Sequence, residues 1–287
     1  MLRSLLWFKQ DLRLDDHPAL QAAETADELL AVYVLDPQLF EASALGPRRL
    51  GVHRTRFLLE SLATLDHGLR QLGSRLLVLQ GKAEQRIPEL VRRLQFDEVL
   101  TLEEIAPEER QQVQRVRQQL GQVSLRELPG NHLLSREQLP CLVAQLPSMF
   151  SQFRQLLAER VLVFQPRPLP ARLPAPPQGS AGLFSPLPTL SQLGLGEPLP
   201  VANSAFPFSG GESAAQARLR DYLWGSQNVR TYQEPRNGLI GSEYSSKLSP
   251  WLANRNHLHP AVHRAQDLIA QDPQRHWPVS ELAERVH

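Results

Sequence analysis

Five short apolar runs in the first 128 residues constrain this chain more than any other feature. They are Leu2 to Phe8, Leu29 to Leu35, Leu76 to Leu79, Val99 to Leu102 and Val123 to Leu128. Between them, apolar residues recur at helical spacing. A helix opens at Pro18 with Leu20, Ala22 and Ala23. A longer one carries Leu58, Leu62, Leu65, Leu69 and Leu72 and stops at Gly73. A third carries Ile87, Leu90, Val91 and Leu94, and a polar fourth runs from Pro107 to Leu120 with Val113 and Val116. Such alternation predicts a parallel sheet with helices on both faces. The expected class is therefore α/β, a five-stranded, parallel, doubly wound, Rossmann-like domain spanning residues 1–128. Ligands of such sheets sit beyond the carboxyl ends of the strands. That rim holds the charged loop Lys9 to Asp16, then Asp36-Pro37, Gly81-Lys82 and Glu103-Glu104. No Gly-x-Gly-x-x-Gly follows the first run, so the dinucleotide fingerprint is absent.

From Gln165 to Pro207 prolines crowd the chain, at a density no helix survives. Residues 129–208 read as a connecting helix and a long linker, partly extended and partly disordered. Residues 209–287 form a second, partial unit. Ser209-Gly210-Gly211-Glu212 has capping-box spacing, and Ala215, Leu219, Tyr222 and Leu223 follow on one helical face. A glycine pair ahead of a helix also suits an anion; the capped amphipathic helix is the simpler reading. A net charge of +1 gives no global footprint for nucleic acid, so any DNA contact must be local. Cys141 is the single cysteine, a small core or loop residue. One thiol forms no internal disulfide, which points to a reducing cytoplasm. The apolar N-terminus is broken by Lys9, Asp11 and Arg13, too early for a membrane span, so no membrane partner is expected. His257, His259 and His263 invite a metal, but Pro260 interrupts them and no acidic partner pattern is near; a solvated tail is preferred and no metal site is expected.

The densest polar signal is Tyr232 to Pro250. It combines Gly238 and Gly241, the hydroxyls of Ser245, Ser246 and Ser249, and the point charge of Lys247. Ser249-Pro250 reads as an N-cap followed by proline at the first helical position. Free N–H groups at such a helix start, beside hydroxyls and a lysine, suit a phosphate or diphosphate. The alternative is a well-capped helix after a loop.

These residues carry a resemblance. Tyr232, Arg236-Asn237-Gly238-Leu239-Ile240-Gly241 and Tyr244 to Leu252 resemble the start of the flavin domain of photolyases and cryptochromes, most closely the cryptochrome DASH branch. Trp7 to Leu14, Asp16 to Leu20, Arg54 to Leu62 and Phe150 to Arg154 resemble that family's α/β domain and its exit, and Phe206-Pro207-Phe208 the approach to its flavin domain. The resemblance implies that Tyr232 and Ser245, Ser246, Lys247, Leu248 and Ser249 bind FAD, mainly through its phosphates, and that Arg236 faces DNA. It implies a folate antenna near Glu109; Glu108 and Glu109 are also explained by the electrostatics of a helix start. The implied activity is light-driven, FAD-dependent splitting of cyclobutane pyrimidine dimers, preferentially in single-stranded or damaged DNA. After Ala253 the resemblance fades, and the helices that would enclose the flavin ring are not recognisable. The catalytic residues are therefore unassigned. We expect a C-terminally truncated member, by frameshift near Ala253, that binds FAD weakly or not at all unless another chain completes the domain. The contrasting reading is a non-catalytic remnant or α/β binding module without stable FAD.

Overall fold

The computed structural model describes residues 1–42, 46–132, 134, 136–158, 167–199, 204–232, 235–238 and 240–254. The histidines at 257, 259 and 263 lie outside the described residues. In chain order the elements are β1 (Arg3–Phe8), α1 (Pro18–Ala23), β2 (Glu28–Leu35), α2 (Val52–Gln71), β3 (Leu76–Gln80), α3 (Ala83–Leu94), β4 (Glu98–Leu102), α4 (Pro107–Gln119), β5 (Ser124–Leu128), α5 (Phe150–Ala158), α6 (Glu212–Arg220) and α7 (Ser249–Ala253). The strands form one five-stranded parallel sheet in the order β3-β2-β1-β4-β5. Each lies within a residue or so of an apolar run; the central strands β1, β2 and β4 are buried on both faces and admit few polar side chains, whereas the edge strand β5 is half-exposed.

Alternation along β1 divides the core into two layers. Leu6 and Phe8 face α1 and α2, packing with Leu20, Leu62, Leu65 and Leu69. Leu5 and Trp7 face α3 and α4, packing with Ile87, Val91, Val113 and Val116. A third cluster joins α2 to the C-terminal unit. It contains Phe57, Ala215, Leu219, Tyr222, Leu223, Val229, Leu248 and Trp251, with Phe206 and Phe208 against it. Trp251 meets Phe57 edge to face, their ring centroids 5.7 Å apart.

The proline-rich connector, expected to be partly extended and partly disordered, is docked in its described part. Residues 167–199 contain no α-helix, only the tight turns Gln178–Leu183 and Ser191–Leu193. Leu173, Leu190 and Leu195 are buried in the first core layer. Leu173 N–H donates to the Leu72 carbonyl at 2.7 Å, and Leu29 N–H donates to the Ala175 carbonyl at 3.1 Å. Phe184 lies under the Arg75 guanidinium at 3.9 Å. Proline removes donors and helix, but it leaves carbonyls and apolar side chains free to dock.

The expected capping box is not formed. Gly211, not Ser209, is the N-cap residue of α6, and no side chain caps it. A Cβ at Gly210 would overlap the Phe57 carbonyl oxygen, and one at Gly211 the Thr64 hydroxyl. Gly211 also has φ +99°. The glycine pair therefore exists for close approach of the chain to α2. Gly210 N–H donates to Glu60 at 2.7 Å. Glu212 reaches across the seam rather than back to its own helix, accepting from the N–H groups of Leu14 at 2.9 Å and Asp15 at 3.4 Å. No helix among the described residues is long and apolar enough to cross a membrane.

Candidate functional site

Two polar constellations stand out. The first is at the carboxyl rim of the sheet, where the charged loop after β1 turns inward. Lys9, Asp11, Arg13, His17 and Glu104 are all buried. Lys9 Nζ donates to Thr101 Oγ1 at 2.7 Å and the Leu102 carbonyl at 2.8 Å, and lies 3.5 Å from Glu104. Burial pushes the Lys9 pKa down, and the carboxylates of Asp11, Glu104 and Glu127 oppose that. Asp11 accepts from Lys9 N–H and from His17 Nε2. Burial raises the Asp11 pKa, but the His17 hydrogen bond and the nearby positive charges outweigh it and hold the carboxyl well below the usual range. His17 caps α1, its Nδ1 accepting from Leu20 N–H at 3.0 Å. With Nδ1 accepting, the ring hydrogen sits on Nε2, toward Asp11. Burial lowers the His17 pKa against the pull of Asp11, so the ring is neutral. These groups pair with one another and with backbone, and their evident work is to fix the loop. Further along the rim, Glu109 is half-buried at the start of α4, while exposed Glu108 pairs with Arg49 at 2.7 Å. Among the described residues no cluster of three His, Cys, Asp or Glu side chains could hold a metal ion.

The second constellation is the turn from Ser242 to Ser249. Its centre is Arg218, a residue the sequence reading passed over. Arg218 is 4 % exposed. Its Nε donates to the Ser246 carbonyl at 3.1 Å, one terminal nitrogen to the carbonyls of Ser242 at 3.0 Å and Ser245 at 3.2 Å, and the other to Asp221 at 2.9 Å. The guanidinium lies over the rings of Phe208 at 4.8 Å and Tyr222 at 5.4 Å. The signal for it was present: Arg218 is three residues from Ala215 and four from Tyr222, on the apolar stripe of α6, where a charge needs a reason.

In a trans peptide the carbonyl and the following N–H point opposite ways. Carbonyls of Ser242, Ser245 and Ser246 aimed at Arg218 therefore turn the N–H groups of Glu243, Ser246 and Lys247 away from it. Lys247 has the left-handed φ of +60°, and Leu248 follows with right-handed φ −78° and ψ −14°. Such a reversal of hand makes consecutive N–H groups converge into an anion-accepting concavity. Among the described residues no acceptor takes the N–H of Lys247, Leu248 or Ser249. Ser245, Ser246 and Lys247 are half-buried, and Lys247 Nζ sits 3.4 Å from the Tyr244 ring centroid.

Some expectations need correction here. Ser249 is the first residue of α7, and Leu248 stands at the cap with no side-chain bond. Leu248 is buried in the cluster with Trp251, so only its backbone can meet a ligand. Gly241 takes φ +89°, whereas Gly238 serves close packing, its Cβ position 3.2 Å from Tyr244 Cβ. Tyr232 is half-buried and its carbonyl accepts from Arg236 N–H at 3.1 Å; the Arg236 side chain is exposed. The donor set present, the N–H groups of Lys247, Leu248 and Ser249 with two hydroxyls and an ammonium, has the chemistry to hold a diphosphate.

Residues 4–177 match the family model described as DNA photolyase. A cryptochrome DASH from Gloeobacter violaceus is 34% identical over 97% of this chain and 56% of its own length. One from Natronomonas pharaonis is 34% identical over 98% of this chain and 60% of its own. The chain thus spans a little over half the length of these relatives. Among solved structures, a Synechocystis cryptochrome superposes with a TM-score of 0.87 at 29% identity, covering 100% of this chain and 60% of that one. A class III photolyase from Agrobacterium tumefaciens shares the fold, with a TM-score of 0.74 at 23% identity over 99% of this chain and 56% of that one.

Proposed function

Because the chain belongs to the DNA photolyase family, with cryptochrome DASH proteins among its relatives, we propose that it is a flavoprotein of light-driven DNA repair whose FAD diphosphate lies on the Ser245–Ser249 turn. The observation that carries this is the change from left- to right-handed backbone at Lys247–Leu248, where the N–H groups of Lys247, Leu248 and Ser249 have no acceptor among the described residues, beside two serine hydroxyls and a lysine. When bound, FAD supplies photochemical electron donation to a cyclobutane pyrimidine dimer. The protein's share is binding and electrostatics. Lys247 and the N–H groups balance the diphosphate charge, Ser245 and Ser246 orient it, and Tyr232 contributes to the same flavin in this reading. Exposed Arg236, in the turn after Tyr232, offers a guanidinium to a DNA phosphate. A dimer in single-stranded DNA is the preferred substrate in this reading, since lifting a base from an already unstacked strand costs less. Glu109 is the residue offered to a folate antenna, Glu108 being engaged with Arg49.

The test is retention of FAD by the whole chain through gel filtration, followed by repair of dimer-containing single-stranded DNA under blue light. Flavin absorbance that stays with the protein and falls in K247A supports the reading. A folded, colourless protein that takes up neither FAD nor ADP sinks it and leaves the α/β binding module.

A further inference from the structure

We propose that Arg218 is a positioning residue for the anion site: its buried guanidinium sets the backbone of Ser242–Leu248 so that the N–H groups beyond it converge on a diphosphate. The proposal rests on the flavin reading and says how that site is held. Arg218 does not meet the ligand itself. It is 4 % exposed, and it donates to three carbonyls and to Asp221. The planar fork suits this work. Five N–H donors in a fixed plane can satisfy several diverging carbonyls at once, while its faces stack on Phe208 and Tyr222. Lysine, a point charge on a flexible stem, can hold one or two of them and cannot stack in the same way.

Without that fork the turn has little reason to keep its shape. Lys247 is a non-glycine residue with φ +60°, a conformation that persists where the surroundings over-determine it. The carbonyls on either side of Ser246 are anchored to Arg218, which leaves the Lys247 peptide little freedom. On release, the 245 and 246 peptides can rotate, and the same rotation that turns a carbonyl outward turns an N–H inward. The site would then present the Ser246 carbonyl in place of the Lys247 N–H, one of its three donors. Arg218 thus acts on the ligand through peptide orientation, and a general stabilising role would not discriminate between ligands with and without phosphate.

That difference gives the test. FAD, ADP and riboflavin are titrated calorimetrically into the full chain, wild type and R218K, with folding checked by circular dichroism. The expected result is FAD and ADP weakened about 10–100-fold, the range for losing a residue that orients a ligand-binding group, with riboflavin unchanged. Methylguanidinium added to R218A should recover ADP binding. Equal FAD and ADP affinities in wild type and R218K overturn the proposal, as does a loss shared equally by riboflavin. If R218K does not fold, D221N serves, since Asp221 is half exposed and only tethers the guanidinium. D221N should cost about 3-fold in ADP affinity, one modest hydrogen bond, and an unchanged affinity overturns the proposal. Wild type that binds neither FAD nor ADP defeats the flavin reading and this proposal together, whereas wild-type binding untouched by R218K defeats this proposal alone.

Discussion

Among the described residues, Glu212 is the acid whose neutralisation should stabilise the protein. It sits at the start of α6 with its carboxylate across the seam, on the N–H groups of Leu14 and Asp15. Burial pushes its pKa up to about 7 from an ordinary 4.5, and the Asp15 carboxylate adds to this; the Leu14 N–H and Arg13 oppose it. A carboxyl raised in the folded state binds its proton there when the unfolded chain has lost it. Stability is therefore full below pH 4.5 and declines as pH rises toward 7. At 1.36 kcal/mol per pH unit, that window corresponds to about 3 kcal/mol. Glutamine removes the charge and keeps one acceptor for the Leu14 N–H, losing the longer bond from Asp15, so the stability of E212Q relative to wild type should rise by about 3 kcal/mol between pH 4.5 and pH 8. For a chain of this size that is a rise of roughly 6–12 °C in Tm, read by thermal melts across pH. Subtracting the two curves removes every other titrating group. A difference that stays flat from pH 4.5 to 8, or falls, refutes the reasoning.

Three further outcomes are expected. G210A forces a methyl into the Phe57 carbonyl and should destabilise by about 1–3 kcal/mol, seen in urea melts as a lower midpoint and in faster proteolysis after residue 208. L173A removes a fully buried side chain from the docked connector and should cost about 2–5 kcal/mol; a cost under 1 would mean that the connector does not seal the core. His17 is held neutral by burial, so its own contribution, read as wild type minus H17Q, should fall as pH drops below about 6.5, where the unfolded chain takes up a proton that the folded ring refuses. H17Q should lack that slope, and an H17Q melt that still parallels wild type between pH 5 and 7 removes His17 as its source.

Local pattern made the sheet legible and tertiary partners decided the rest. The strands and α2 to α4 follow from apolar spacing alone, since each needs only its own residues to declare a buried face. The polar calls depended on distance. Lys9 to Asp16 is charge-dense enough to read as loop, yet the residues that make it interior, Thr101, Leu102 and Glu104, lie more than ninety positions on. Ser209 and Glu212 have the spacing of a capping box, but α2 sits so close that glycine is required and the glutamate is drawn to Leu14. The Ser245–Ser249 segment was found through its hydroxyls and lysine, while the handedness of Lys247 and the carbonyl orientation behind it were invisible without Arg218.

Arg218 and the rim loop share a device. Lys9 donates to the Leu102 carbonyl, Arg13 to those of Asp16 and Gly130, and Arg218 to those of Ser242, Ser245 and Ser246. A buried cation normally costs several kcal/mol in desolvation, and carbonyls alone return only part of it. Lys9 and Arg218 each have a carboxylate nearby, Glu104 and Asp221. The two side chains thus hold backbone carbonyls from the interior, Lys9 at the end of β4 and Arg218 along an irregular turn. Because peptides are trans, every carbonyl so held faces inward and sends the next N–H the other way. A buried cation behind a loop thus favours acceptance of an anion in front of it, and an arginine on an apolar helix stripe becomes a readable sign of such a loop.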